Sequence, residues 1–107
     1  MMYNGWANYE TWRVNLEVFD DLSIDSVGFE PTDDQDDDIH TLTGILKNYA
    51  EETLEASLGD ASTLARGLAF AFLDNVDYRE IALAMLESVK YPTEKDEHLF
   101  GKEVNFT

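Results

Sequence analysis

The sequence predicts a mainly α domain, a small bundle of about four helices, and three observations carry that reading. Apolar residues recur at three- and four-residue spacings through most of the chain. Residues that start or stop helices, chiefly asparagine, aspartate, glycine and proline, fall between those runs. A length of 107 residues with 44% hydrophobic side chains supplies one core and is too short for two. Residues 1–107 are therefore expected to form a single domain.

The first helix is predicted to begin after Asn8, whose side chain can cap it, and to run to about Phe19. Glu10 falls in its first turn, where a negative charge favours the exposed amide groups. Tyr9, Trp12, Leu16 and Phe19 follow a spacing of three, four and three, so they are expected to face the core, with Trp6 stapling the entry of the helix. Asp20 to Asp38 is a different material. It contains Asp20, Asp21, Asp25, Glu30, Asp33, Asp34, Asp36, Asp37 and Asp38, lacks lysine and arginine, and is punctuated by Gly28 and Pro31. Few apolar residues hold this acidic connection (20–38), so the sequence leaves open whether it is ordered or partly flexible.

Helical periodicity returns from about Asp38 to Leu58, where Ile39, Leu42, Ile45, Leu46, Tyr49, Leu54 and Leu58 share a face. Gly59 stops that helix, and Asp60 can cap the next. The stretch ASTLARGLAFAFL, residues 61–73, is apolar nearly all round, which normally marks a central helix. Tyr78, Ile81, Ala82, Met85 and Val89 then trace a last amphipathic helix, ended before Pro92. Val27 and Phe29 alternate around Gly28, and Val104 and Phe106 alternate in the tail. Segments 26–30 and 103–106 are thus candidates for a short two-stranded β pairing.

The charge is the outlying property. Seven lysines and arginines face 23 aspartates and glutamates, for a net charge of -16. Such a surface repels nucleic acid, anionic membranes and copies of itself, so direct nucleic-acid or membrane binding is not expected and a partner should be basic. The chain contains no cysteine, which excludes disulfides and thiolate metal sites. It shows neither an apolar run of membrane-spanning length nor a secretion-type start, so a cytoplasmic location is expected.

The run DDQDDD invites comparison with a calcium loop. An EF-hand needs glycine at its sixth position and glutamate at its twelfth, and counting from Asp34 those positions hold Ile39 and Ile45. Loose divalent-cation binding is the weaker reading of the run, and a solvated acidic loop the stronger. The two histidines, His40 and His98, lie outside any zinc-ligand spacing, and neither a nucleophile elbow nor a phosphate-binding glycine loop occurs. Glu51 and Glu55 fall one helical turn apart on one surface, whereas a glycosidase holds its carboxylates across a cleft. An enzyme is therefore not expected, and no cofactor or metal is implied.

Carboxylates in such number can also imitate a polyanion. Duplex DNA carries one charge per roughly 1.7 Å, so sixteen charges correspond to about 27 Å of duplex, the length of a small helical domain. Solubility alone is served by a net charge of about two to eight.

The stretch YNGWANYETWRVNLEVFD resembles the N-terminal signature of a group of small proteins from phages, plasmids and integrative elements. These begin N-G-W-x-N-Y-E-T-W and continue into a hydrophobic helix, and the matching residues here are Asn4, Gly5, Trp6, Asn8, Tyr9, Glu10, Thr11 and Trp12. The resemblance implies a mobile-element origin. Small acidic proteins of such elements are similar to the inhibitors used against restriction and CRISPR systems, several of which are DNA-like in charge. It carries over no catalytic or binding residue, and the chain beyond about residue 21 shows no family pattern.

The expected function is a non-enzymatic, DNA-mimic-like inhibitor that binds a basic, nucleic-acid-handling host protein. Asp33, Asp34, Asp36, Asp37 and Asp38 are its first candidate contacts, followed by Glu51, Glu52 and Glu55. The alternative is a small interaction module or assembly factor that uses Trp6 and Tyr9 as aromatic anchors, with acidity serving only solubility.

Overall fold

The computed structural model describes residues 2–91, and within them the chain is a bundle of four α-helices. These are α1 (Tyr9–Val14), α2 (Gln35–Leu58), α3 (Thr63–Leu73) and α4 (Tyr78–Met85). A π turn, Asn15–Phe19, extends α1, and a short 3₁₀ turn, Asp25–Val27, interrupts the acidic connection. Asp25–Val27 closes on Gly28 in the left-handed region (φ 81°), so residues 26–30 form no strand. The other half of the expected pairing, 103–106, lies outside the described residues.

The core lies where α2 crosses α4. Ile39, Leu42, Leu46 and Ala50 of α2 meet Tyr78, Ile81 and Ala82 of α4 and Leu86 just beyond it. Val14, Phe19, Phe29, Leu73 and Val76 close the sides. This matches the apolar faces predicted for α2 and α4. Helix α2 starts three residues earlier than its periodicity indicated, because Asp34 caps it by accepting a hydrogen bond from the Asp37 N–H at 3.1 Å.

The first helix presents a different face from the one its spacing predicted. Thr11, Val14 and Phe19 are buried, while Leu16 is 46% exposed. The π turn explains the shift. Bonds from i to i+5 widen the helix from Asn15 onward, so Val14 and Phe19, five residues apart, arrive on the same side.

The largest departure concerns 61–73. Its apolar character predicted the centre of the bundle, yet α3 lies on the outside. Only Leu73 is fully buried, and Leu64 and Leu68 are 71% and 65% exposed. Ser62 caps it in place of the expected Asp60, accepting from the Ala65 N–H at 3.2 Å.

Among the described residues, no helix is long and apolar enough to cross a membrane.

Candidate partner-binding surface

The aromatic opening stretch is an architectural knot. Asn4 and Gly5 both take positive φ, 49° and 88°, the geometry of a two-residue hairpin turn with asparagine and glycine at its centre. Tyr3 and Trp6 exchange backbone hydrogen bonds across it, at 2.6 and 2.8 Å. Trp6 thereby packs, half-buried, against the core. Asn8 caps α1 as its position predicted, accepting from the Thr11 N–H at 2.8 Å and the Thr11 hydroxyl at 2.7 Å. Its Nδ2 donates to the Asn75 carbonyl at 2.7 Å. Thr11 Oγ1 in turn accepts from the Asp77 N–H at 2.8 Å, and Glu80 Oε1 accepts from the Ala7 N–H at 2.8 Å. The start of α1 is thus tied to the turn that starts α4.

Tyr9 was predicted to be core, together with Trp12, and is 40% exposed. Its ring stands 5.2 Å from that of Tyr3, 5.7 Å from Trp12 and, edge-on, 6.2 Å from Phe72 of α3. Tyr3, 38% exposed, and Tyr9 form an aromatic shelf beside α3.

The candidate carboxylates separate into different roles. Asp33, Asp36 and Asp37 are exposed at the N-terminal end of α2, where the helix dipole stabilises negative charge. Asp34 is also exposed but serves as the cap. Asp38 does not belong to the surface and corrects the expectation for it: it is 1% exposed, and the structure brings donors to both of its oxygens. The Thr32 N–H and the Tyr91 hydroxyl donate to Oδ2 and the Thr32 hydroxyl to Oδ1, each at 2.7 Å. A run of five acids at a helix start has to place one on the inner face once the helix is formed, and Asp38 is followed there by Ile39 and Leu42.

Burial alone would raise the Asp38 carboxyl, but the hydrogen bonds from Tyr91 and Thr32 outweigh it and hold the group below its ordinary 3.8. Tyr91 is pushed up to about 12, by desolvation first and then by its bond to the carboxylate. The signs give a two-ended window. The depressed carboxyl contributes stability above its unfolded value, and that contribution is lost as pH falls from about 3.8 downward. The raised phenol contributes below its unfolded value of 10.0, and that contribution is lost as pH rises from there through about 12. Asp38→Asn is expected to lower the melting temperature at neutral pH by roughly 5 °C or more and to flatten its fall between pH 5 and 2. Thermal melts across that range check both, and an unchanged acid limb would contradict the role given to Asp38.

Glu51, Glu52 and Glu55 lie at the far end of α2. Asp37 and Glu55 are eighteen residues apart, which places them on one side of the helix about 27 Å apart along its axis. Thr41, Gly44 and Asn48 occupy the same outer side between them. With Asp38 buried, the other seven predicted carboxylates form two clusters bracketing α2 rather than one patch. Glu52 is exposed, and Glu51 is half-buried near Tyr78. Burial first, then the charges of Glu51 and Asp74, push that phenol up to about 12. Glu55 is partly neutralised by Arg66 of α3, which also donates to the Gly59 carbonyl.

Among the described residues, no group of three or more His, Cys, Asp or Glu is arranged to hold a metal ion. An apolar groove of about 550 Å³ runs between α1, α2 and α3, lined by Val14, Val18, Leu54, Leu68 and Phe72 among others. Periodicity gave no indication of it, because Leu68 and Phe72 were expected to be covered.

Comparison of the chain with curated proteins and with solved structures returns no match. A family model does match, over residues 1–91, and the chain belongs to that family, DUF7249, a family of unknown function.

Proposed function

We propose that the domain is a non-enzymatic cytoplasmic inhibitor from a mobile element that binds a basic, nucleic-acid-handling host defence protein, of the restriction or CRISPR kind, by presenting DNA-like charge. The observation that supports it best is the defined path of the acidic connection. Phe29 is buried in the core, and Thr32 and Tyr91 converge on Asp38, so Asp33, Asp36 and Asp37 project from a fastened base. Charges held in place before binding lose less conformational entropy when a partner engages them. Asp37 and Glu55 stand about 27 Å apart along the outer side of α2, with Thr41, Gly44 and Asn48 between them, so the two carboxylate clusters bracket a length over which duplex DNA presents about sixteen phosphates. The resemblance of the opening stretch to mobile-element proteins supports the same reading.

Affinity capture from host lysate, eluted across a salt gradient, tests it. The wild-type domain is expected to retain a nucleic-acid-handling protein that elutes at moderate salt. Asp33→Asn, Asp36→Asn and Asp37→Asn together should weaken that retention about 10- to 100-fold while leaving the melting temperature within a few degrees. Retention through high salt, unaffected by the triple change, would overturn it.

The exposed Tyr3–Tyr9 shelf favours a second reading, a small interaction module or assembly factor. In that case Tyr9→Ala removes the captured partner and the aspartate changes are silent.

A further inference from the structure

The exposed aspartates at the start of α2 offer a partner charge but nothing to fill. A cavity of about 710 Å³ opens beside them, between the opening hairpin turn, the first residue of α2 and the end of α4. Trp6 lines one side, Glu80, Leu83 and Glu87 another, and Gln35 the side toward α2. That volume is in the range of cavities that hold ligands, and an aromatic wall with a few convergent polar groups is how such cavities select one.

The two carboxylates set the sign of the charge that fits. Glu80 and Glu87 are seven residues apart, two helical turns and about 10 Å along the axis, so they share a side with Leu83 between them. Glu80 is half-buried and held in place, because its Oε1 accepts the Ala7 N–H at 2.8 Å. Among the described residues its Oε2 receives no hydrogen bond, and Glu87, which is exposed, has no ion-pair partner. The basic residues nearest in sequence do not line the cavity. Arg79 instead lines a separate one with Asp36 and His40, and Lys90 lines neither.

We infer that this cavity receives the guanidinium of an arginine carried by the partner. A guanidinium is planar, weakly hydrated and able to donate toward carboxylates while its face lies on an aromatic ring, a combination that an ammonium lacks. Gln35 stands between Asp34 and Asp36 in the chain, so a basic segment anchored beside Trp6 continues onto the exposed aspartates of the α2 start. That the occupant belongs to a host protein rests on the inhibitor reading, whereas the arginine site itself is measured without any host protein.

The test follows the indole N–H resonances of the full chain by NMR while acetyl-arginine-amide is added at about 0.15 M salt, where unspecific attraction to the acidic surface is screened within about 8 Å. The Trp6 resonance should shift and saturate, with that of Trp12, packed among Tyr3 and Tyr9, as the internal control. Acetyl-citrulline-amide, the same shape without the charge, should bind at least about 10-fold more weakly. Glu80→Gln and Glu87→Gln together remove both charges and keep an amide oxygen for the Ala7 N–H. They should weaken the arginine response about 10-fold with the melting temperature within a few degrees, whereas the triple asparagine variant of Asp33, Asp36 and Asp37 should change it less than about twofold. No saturable shift at Trp6, citrulline as effective as arginine, or equal weakening in the glutamine and asparagine variants would overturn the inference. Capture of a nucleic-acid-handling host protein without an arginine response at Trp6 would sink the pocket alone, and the response without such capture would sink the inhibitor reading alone.

Discussion

Alanine at Ile81 is expected to lower the unfolding free energy by about 2–5 kcal/mol. The side chain is completely buried in the face that α4 presents to α2, and that contact is the main seam of the bundle. Truncation removes its transfer free energy and leaves a cavity that two packed helices close only partly. A domain of this size has about 5–15 kcal/mol in total, so the loss is a large share of it. Denaturant titration should show the midpoint falling with the slope unchanged. A change below about 1 kcal/mol would mean that α4 is not seated on α2 as described.

Valine at Thr11 is the second large effect, and its expected cost is about 1–3 kcal/mol. Thr11 is fully buried, and its hydroxyl donates to Asn8 Oδ1 while accepting the Asp77 N–H. Valine keeps the shape and deletes both bonds, leaving the Asp77 amide without its acceptor. Asp77 is itself the cap of α4, accepting from the Glu80 N–H, so one hydroxyl links the starts of two helices distant in sequence. The melting temperature should fall by roughly 5–15 °C, and Thr11→Ser should recover most of it. Equal stability of the valine and serine variants would show that the hydroxyl is not the link.

These two positions also illustrate what the sequence discloses. Ile81 stands in a three-and-four apolar spacing, and such spacing located the buried faces of α2 and α4 because burial on one side is the physical cause of the pattern. Thr11 stands in a run of aromatics, yet much of the fastening falls to Asn8 and Thr11, small polar residues whose partners, Asn75 and Asp77, are more than sixty residues away. Long-range pairing of that kind leaves no local periodicity. The Asn4-Gly5 pair did carry a local signal, since that dipeptide between aromatic residues is a strong hairpin cue.

The carboxylates were legible as a class and not as individuals. Composition identifies an acidic surface, but five acids at a helix start look alike until the helix phase fixes which one turns inward. Here it is Asp38, and its partner Tyr91 lies fifty-three residues further on. Helix α3 shows the converse. Its apolarity is legible in residues 61–73, whereas its place on the outside of the bundle is not, because apolar residues on every side give no period that marks the face turned to the core.

Mimicry requires the fastened carboxylates to occupy a site that would otherwise hold nucleic acid. Competition measures it most directly: labelled duplex DNA is bound to the captured host protein and the domain is titrated in, with release followed by fluorescence anisotropy. Mimicry predicts that the wild-type domain displaces the DNA, that displacement weakens with added salt, and that the triple asparagine variant needs at least about ten times the concentration. A ternary complex, in which DNA stays bound while the domain also binds, would contradict it.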